Sequence, residues 1–265
     1  MHLSFPPNTL SESSQLVPAS AFAPGVVALE KNAGTSANAL CEAFRAQIAE
    51  GKPSALALGL ARPQIVCAAE EEVSGLAIFA DKDSGALEAW RNAFGSGQIL
   101  FRFVFLAEPA EQIEEDAFEC DLPVAQHFTE PRALVSRTTG KKSATLFRRI
   151  EKLGARELWS AETSFPRFHQ IRLHAFECAL PIVGDALYGG VPAVNVSELR
   201  PKKRLNKGED KPFYAPICLH LSRISVAAGV PTIASVGLDA PLPGGFDALL
   251  AKLRNLPQNQ KNAGK

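Results

Sequence analysis

The most distinctive stretch of the 265-residue sequence is Arg167–Gly189, which reads RFHQIRLHAFECALPIVGDALYG. Its first part predicts a helix over about 168–180, and its last residues, GDALYG, predict a turn. His169 and His174 are five positions apart, whereas two zinc ligands on one helix face are four apart. The two histidines therefore do not predict a metal site, and we expect no metal ion.

Outside this stretch, apolar runs and turn residues indicate strands and helices that do not alternate as regular βαβ units. They predict an α+β fold, with a central mixed, largely antiparallel sheet flanked by helices. The acidic segment Glu108–Asp121 is expected to be a linker between the two halves of the chain. Predicted strands cover about 26–29, 75–80, 98–107, 133–137, 143–152, 156–163 and 217–222, and predicted helices cover about 38–50, 84–94 and 246–256.

Arg167–Gly189 resembles the HQIRxH…PIxGDxxYG signature of the RNA pseudouridine synthases, in their RluA-like branch. Shorter segments between Val26 and Leu256 resemble further motifs of this family and follow the family's order. These segments are Lys31–Gly34 (NKPxG in the family), Val73–Leu76 (the end of HRLDxxTSGL), Phe101–Ala107 (KxYxALV), Gly140–Thr145 (GKxAxT), Leu219–His220 (LHA) and Ala240–Pro243 (a Pro-rich turn).

Enzymes of this family break the N-glycosidic bond of a uridine in RNA, rotate the uracil and rejoin it through carbon 5. The resemblance implies that no cofactor takes part and that one carboxylate is the nucleophile. It also implies a cationic partner for that carboxylate, a planar side chain against the extruded base and a basic cleft for the RNA backbone. The implied single domain covers residues 21–257, between a flexible lead-in at 1–20 and a flexible tail at 258–265.

The nucleophile segment departs from the family pattern. Counting back from Ser74-Gly75, the position of the catalytic aspartate is Glu70, and the usual His and Arg before it are lost. The longer side chain displaces the carboxylate, and a displacement of about 1 Å can lower a rate about 10²-fold. Because two more glutamates follow, Glu70 can equally belong to a solvated acidic turn. The tyrosine position is Phe103, which can stack on a base but has no hydroxyl group to assist proton removal.

The same resemblance assigns roles to residues of the predicted helix. Arg172 corresponds to the cation that pairs with the nucleophile, and a helix-surface arginine is the alternative. Ile171 either packs against the base or belongs to the core, and Arg167 and His169 either contact RNA or hold the fold. Segment 199–211 either binds phosphates or is a solvated flexible loop. The predicted phosphate-binding cations are Lys141, Lys142, Lys202, Lys203 and Arg204.

The charge is neutral overall and strongly asymmetric along the chain. The 28 Lys and Arg equal the 28 Asp and Glu. Residues 1–130 nevertheless hold 7 basic and 18 acidic side chains, a net charge of −11, and residues 131–265 hold 21 and 10, a net charge of +11. A basic half of this kind can bind phosphates in a neutral protein, so RNA, ribosomal or transfer, is the expected partner.

The composition favours one cellular compartment, and the sequence leaves two functions open. Five widely spaced cysteines, the absence of a long apolar run and the absence of a secretory leader favour a cytoplasmic protein that does not enter a membrane. The sequence does not determine an oligomeric state. The first function is a pseudouridine synthase impaired by its Glu70 nucleophile. The alternative is a catalytically silent homologue that binds RNA as a chaperone or assembly factor.

Overall fold

The structure, a computed structural model, describes residues 25–200, 206, 208–229 and 236–256. No helix among these residues combines the length and the apolar character needed to cross a membrane. The helices are α1 (Ala37–Ala49), α2 (Pro53–Leu56), α3 (Gly85–Ala93), α4 (Gln170–Glu177), α5 (Val196–Leu199) and α6 (Gly244–Arg254). The strands are β1 (Val26–Lys31), β2 (Pro63–Ala68), β3 (Ser74–Asp81), β4 (Ile99–Ala107), β5 (Ala117–Cys120), β6 (Val124–Gln126), β7 (Ala133–Val135), β8 (Thr145–Leu153), β9 (Arg156–Thr163), β10 (Leu219–Val226) and β11 (Val236–Asp239).

Nine strands of the described residues form one mixed sheet, and β6 and β7 form a separate hairpin. The order along the sheet is β1-β3-β10-β4-β9-β8-β5, with β2 beside β3 and β11 beside β10. The pairing of β3 with β10 is parallel, and the other pairings of these strands are antiparallel. The predicted α+β class with a largely antiparallel sheet is therefore confirmed.

The parallel contact between β3 and β10 is two residue pairs long, His220 with Ser74 and Leu221 with Gly75. Beyond it the two strands diverge, and β2 and β11 pair along the edges that the divergence leaves open. A hydrogen bond of 2.9 Å joins Ser74 Oγ and His220 Nδ1, while His220 Nε2 lies 3.2 Å from Ala240 O. The loop that precedes β3 is thereby fixed near the middle of the sheet.

Apolar side chains cover both faces of the sheet. On one face, α3 and α4 pack over a core that contains the fully buried Trp90 and Trp159. On the other face, α1 covers β1 and β3, and α6 packs through Phe246 over the other half of the sheet. Burial of a side chain such as Phe246 contributes about 1.5–3 kcal/mol. The packed sheet is thus a rigid base for the loops at its ends.

The structure differs from the sequence prediction in places where tertiary contacts decide. The segment Glu108–Asp121, expected to be a linker, contains β5, which pairs with β8 at the sheet edge. Helix α4 is shorter than the predicted 168–180, because His169 and Ala179 take left-handed conformations at its ends, with φ of 54° and 57°. The predicted flexible segments 1–20 and 258–265 lie outside the described residues.

Gly75 should tolerate no side chain. Its φ is 129°, and a Cβ atom there would overlap the backbone of Leu221. We expect Gly75→Ala to lower the free energy of unfolding by about 3 kcal/mol or more, because the backbone conformation and the strand contact would both have to change. Urea unfolding followed by far-UV circular dichroism measures this loss.

The control is Gly97→Ala, at a glycine with φ of 79° and open space around it. This variant should lose only about 1–2 kcal/mol, the cost of the left-handed conformation alone. Equal losses from the two variants would show that the contact with Leu221 is unimportant.

Candidate active site

Glu70 lies in the short loop 69–73, which leads from β2 into β3. The ammonium group of Lys31 holds this loop from inside. Lys31 Nζ donates hydrogen bonds to the carbonyl oxygens of Glu70 at 2.6 Å and of Val73 at 2.5 Å. Lys31 is 1% exposed, and burial lowers its pKa to about 8 although the nearby glutamates oppose this shift. Charge-assisted hydrogen bonds from a buried cation therefore fix the loop.

The Glu70 side chain points towards the start of α4. Its Oε1 accepts a hydrogen bond of 2.6 Å from the backbone N–H of His169. Its Oε2 lies 3.8 Å from His169 Nε2 and 3.9 Å from Arg172 Nη1, and accepts no hydrogen bond from the described residues. The Glu70 side chain is 25% exposed, whereas Glu71 and Glu72 are exposed. The three glutamates thus do not share one solvated turn.

Arg172 is shared among three carboxylates. Its Nε and Nη2 atoms each donate a hydrogen bond of 2.8 Å to the buried carboxylate of Asp185. Its Nη1 atom lies 3.6 Å from Glu72 Oε2 and 3.9 Å from Glu70 Oε2. Burial alone would lower the pKa of Arg172, but the hydrogen bonds to Asp185 raise it. Asp185 therefore keeps the guanidinium charged, and Nη1 is left to contact His169 Nε2, at 3.2 Å, and the two glutamates.

His169 precedes α4 in the left-handed conformation, which costs a residue other than glycine about 1–2 kcal/mol. Its ring is held by the stacked Phe168 ring with centroids 3.8 Å apart, by Tyr188 Oη, 3.1 Å from Nδ1, and by Arg172 Nη1, 3.2 Å from Nε2. Burial, and then the charge of Arg172, lower the pKa of His169 to about 4. The imidazole is thus neutral at pH 7, and its residue offers Glu70 a backbone N–H rather than a charge.

Burial raises the pKa of Glu70 to about 7, against the opposing effects of the Arg172 charge and of the His169 N–H. The compensation by Arg172 is incomplete because its Nη1 atom is 3.9 Å away. Near pH 7 the Glu70 side chain is therefore partly ionised. A carboxyl group in this state can serve as a nucleophile when ionised and can also accept a proton.

The predicted aromatic and aliphatic residues lie on the interior side of the Glu70 loop. Phe103 of β4 and Ile171 of α4 are 7% and 4% exposed, and both belong to one buried cluster. Ala69 and Val73, at the two ends of the loop, belong to the same cluster. Phe103 and Ile171 are thus part of the packed core next to Glu70, and their contact with a base stays a prediction.

A cleft of about 640 Å³ opens beside the charged cluster. Its wall includes Arg172, Glu72, Pro131, Leu187 and Ile217. This volume is typical of sites that hold small organic ligands. In the described part of the wall the charged side chains are one guanidinium and one carboxylate. A basic character of the site therefore depends on cations around the cleft rather than in its wall.

Two of the predicted phosphate-binding cations lie next to the segment that leads into α4. Lys141 and Lys142 are exposed, and the carbonyl oxygen of Lys142 accepts a hydrogen bond of 3.0 Å from Arg167 Nε. The Arg167 guanidinium carbon also lies 5.0 Å from the centroid of the Phe165 ring. The other three predicted cations lie outside the described residues: Lys202, Lys203 and Arg204.

One group at this site has the spacing of metal ligands. Glu70, Glu72 and His169 each offer one potential ligand atom, and these atoms lie within 4.8 Å of one another. However, the Arg172 guanidinium lies 3.6 and 3.9 Å from the two carboxylates. Since this cation lies beside both carboxylates and would repel a metal ion, we assign the group as an ion-pair cluster and place no metal ion in it.

Three residues of the site were not singled out as site residues in the sequence. Lys31 lies in the turn that resembles NKPxG, and Asp185 and Tyr188 lie in the GDALYG turn. The motifs contain these residues, but no local pattern shows that they reach Glu70 or Arg172. Asp185 does shape its turn, since it accepts a hydrogen bond of 2.9 Å from Leu187 N–H, and it also binds Arg172.

Lys31→Met should destabilise the protein while preserving the length of the side chain. Removal of the ammonium group leaves the carbonyl oxygens of Glu70 and Val73 without their buried donor, which should cost about 2–3 kcal/mol of unfolding free energy. Urea unfolding measures this change. Lys52→Met, at a lysine whose side chain is 40% exposed, is the control. A loss no larger than that of Lys52→Met would exclude this role of Lys31.

The raised pKa of Glu70 predicts a dependence of stability on pH. The folded chain keeps the Glu70 proton up to about pH 7, whereas the unfolded chain releases it near the ordinary value. This contribution to stability is present below the ordinary pKa and is lost as pH rises through 7. Between pH 5 and pH 8, the unfolding free energy of wild type should fall by about 1–3 kcal/mol relative to that of Glu70→Gln. Urea unfolding of both proteins at each pH measures the difference, and parallel curves would contradict the shift.

No protein-family model matches the chain, but curated proteins do. The chain is 29% identical over 147 residues to the ribosomal large subunit pseudouridine synthase D of Haemophilus ducreyi, covering 53% of this chain and 42% of that protein. It is 30% identical over 169 residues to the protein of the same name from Zymomonas mobilis, covering 63% and 51%. An uncharacterised RNA pseudouridine synthase of Bacillus subtilis is 26% identical over 131 residues, covering 49% and 42%. The matched part of the chain thus spans about two fifths to one half of these relatives.

Solved structures match the fold over most of the chain. Human RNA pseudouridylate synthase domain containing 4 has a TM-score of 0.64 at 17% identity, covering 87% of this chain and 90% of that one. Human RNA pseudouridylate synthase domain containing 1 has a TM-score of 0.58 at 17% identity, covering 90% and 96%. Together, the motifs, the curated relatives and the fold confirm that the chain resembles the RNA pseudouridine synthases, in their RluA-like branch.

Proposed function

We propose that the protein isomerises uridine to pseudouridine in structured RNA, with Glu70 as the nucleophile and Arg172 as its cationic partner. The observation that carries this proposal is the Glu70 carboxylate, which accepts the His169 N–H at 2.6 Å and faces Arg172 Nη1 at 3.9 Å. Relatives named as ribosomal large subunit pseudouridine synthases support the same activity. Their names also favour ribosomal RNA as the substrate over transfer RNA.

The reaction needs only groups that this site offers. The bond from ribose to N1 of the uracil breaks, and a bond from ribose to carbon 5 forms. Carbon 5 loses a proton and N1 gains one, so atoms and electrons balance without a cofactor. A carboxylate can carry the covalent intermediate. Because the pKa of Glu70 is raised to about 7, its carboxylate is also a better acceptor for the carbon-5 proton than an ordinary glutamate.

Two features of the site predict a low rate. Phe103 supplies a ring but no hydroxyl group for proton removal. The guanidinium of Arg172 is committed to Asp185 through two nitrogens, and its third nitrogen is 3.9 Å from Glu70, beyond hydrogen-bond distance. Glu70 is thus oriented by one backbone N–H and a distant charge.

The same features support a second candidate, a catalytically silent homologue that binds RNA as a chaperone or assembly factor. In this case Glu70, Arg172 and Asp185 form a structural ion-pair cluster. RNA binding is common to both candidates, with Lys141, Lys142 and the cations of segment 199–211 at the phosphates. Both candidates also share the single domain over residues 21–257 and a cytoplasmic location, which the five unpaired cysteines suit.

Release of the carbon-5 proton tests the first candidate directly. Ribosomal and transfer RNA transcribed with 5-tritiated uridine should release tritium to water when incubated with the protein. We expect Glu70→Gln to lower the release by about 10³-fold or more, since the nucleophile is lost. Glu70→Asp should raise the rate about tenfold by correcting the carboxylate position.

Glu71→Gln is the matched control, because it removes a neighbouring exposed carboxylate and should leave the rate unchanged. No release by wild type or by Glu70→Asp, with RNA binding intact in a filter assay, would exclude the enzyme and support the silent homologue. No RNA binding at low salt would exclude both candidates.

A further inference from the structure

Phe128 is 99% exposed, at the tip of the hairpin formed by β6 and β7. A phenyl ring left in water forgoes about 1.5–3 kcal/mol of burial free energy. Its neighbours in the sequence, His127, Thr129 and Glu130, are polar. Phe128 is thus an isolated aromatic ring that the hairpin presents to solvent.

The base of the hairpin is joined to the active-site cluster. Val124 and Ala133 pack with Leu173 of α4 and with Tyr188. Tyr188 Oη accepts a hydrogen bond of 2.5 Å from Ala133 N–H and lies 3.2 Å from Ala133 O. The Tyr188 ring also lies against Arg172, whose guanidinium carbon is 5.3 Å from the ring centroid. The hairpin is therefore held in a defined position relative to Arg172.

Local hydrogen bonds also organise the tip. His127 Nδ1 accepts a hydrogen bond of 3.1 Å from Glu130 N–H, and His127 N–H donates one of 2.8 Å to Arg132 O. Pro131, three positions after Phe128, lies in the wall of the 640 Å³ cleft. Phe128 thus lies on an ordered tip, three residues from the wall of this cleft.

We propose that Phe128 stacks on an unpaired RNA base next to the uridine that enters the cleft. The inference rests on the proposed function, since it takes RNA as the molecule that approaches the cleft. Extrusion of a nucleotide leaves the adjacent base without a stacking neighbour, and an aromatic side chain stacks on any base because every base has a π face. Lys141 is exposed and bridges to Val124 at the foot of the hairpin, where it can contact a phosphate.

The polar surroundings of Phe128 favour a base over a protein partner. A specific protein interface has a buried core of several apolar side chains, whereas this tip offers a single ring among polar residues. A nucleobase needs only one aromatic face, and its ribose and phosphate suit the polar neighbours.

Two RNA probes at one salt concentration test this inference. The first is a stem–loop whose loop contains several unpaired uridines and a 2-aminopurine beside one of them, and the second is a fully paired duplex of equal charge. Phe128→Ala should weaken binding of the stem–loop by about tenfold in fluorescence anisotropy, the effect of losing one stacked base, and leave duplex binding unchanged. It should also abolish the quenching of 2-aminopurine that wild type produces.

Phe128→Trp should retain both signals, because it preserves an aromatic face. Leu56→Ala, at an exposed apolar residue of α2 that is 52% exposed, is the control and should change neither. Since Phe128 makes no packing contact, thermal unfolding of Phe128→Ala should match wild type.

If Phe128→Ala binds the stem–loop as tightly as wild type does, the inference is overturned and the proposed function stands. An equal loss on the duplex also overturns it, because stacking on unpaired bases would not produce that result. Self-association of wild type that Phe128→Ala abolishes, with RNA binding intact, would assign the ring to a protein contact instead. Absence of any RNA binding by wild type overturns the inference and the proposed function together.

Discussion

The buried ion pair between Arg172 and Asp185 is the interaction on which the rest of the site depends. Asp185 is 1% exposed, and both of its oxygens accept hydrogen bonds of 2.8 Å from Arg172. Removal of one partner of such a pair leaves an uncompensated charge in the interior and typically costs about 3–5 kcal/mol. The pair ties α4 to the turn that follows it, and it leaves the remaining nitrogen of Arg172 to contact His169, Glu72 and Glu70.

Few positive charges lie near the Glu70 carboxylate. One guanidinium serves three carboxylates, and His169 contributes no charge at pH 7 because its pKa is lowered to about 4. Lys31 is bound to the backbone of the loop rather than to the Glu70 carboxylate. Burial raises the pKa of Glu70 to about 7 because these few charges do not offset it, and the carboxylate is therefore a stronger base than an ordinary glutamate.

The parts of the fold that could be predicted from sequence are those with a strong local pattern. The aromatic and β-branched residues of β4 and the amphipathic pattern of α6 predict those elements to within about two residues. The short edge strand β5 has three of its four residues at least partly exposed, so only its pairing with β8 makes it a strand. In the site, the family motifs predict that Glu70 and Arg172 are partners. The structure places Glu70 Oε2 3.9 Å from Arg172 Nη1. The roles of Lys31 and Asp185 were not predicted. The partners of Lys31 are distant in the sequence, and the partner of Asp185 is met only in the interior.

The sequence by itself determined the α+β class, the resemblance to the family and the residues at the positions of its nucleophile and cation, because these follow from motif identity and order. Only the tertiary structure decided what surrounds them. Burial sets the pKa values of Glu70 and His169, and the contact of β3 with β10 requires a glycine at position 75. The anchoring of the hairpin on Tyr188 places its tip, which carries Phe128 and Pro131, next to the cleft wall. Desolvation and packing depend on which distant segments meet, and a linear sequence does not contain those distances.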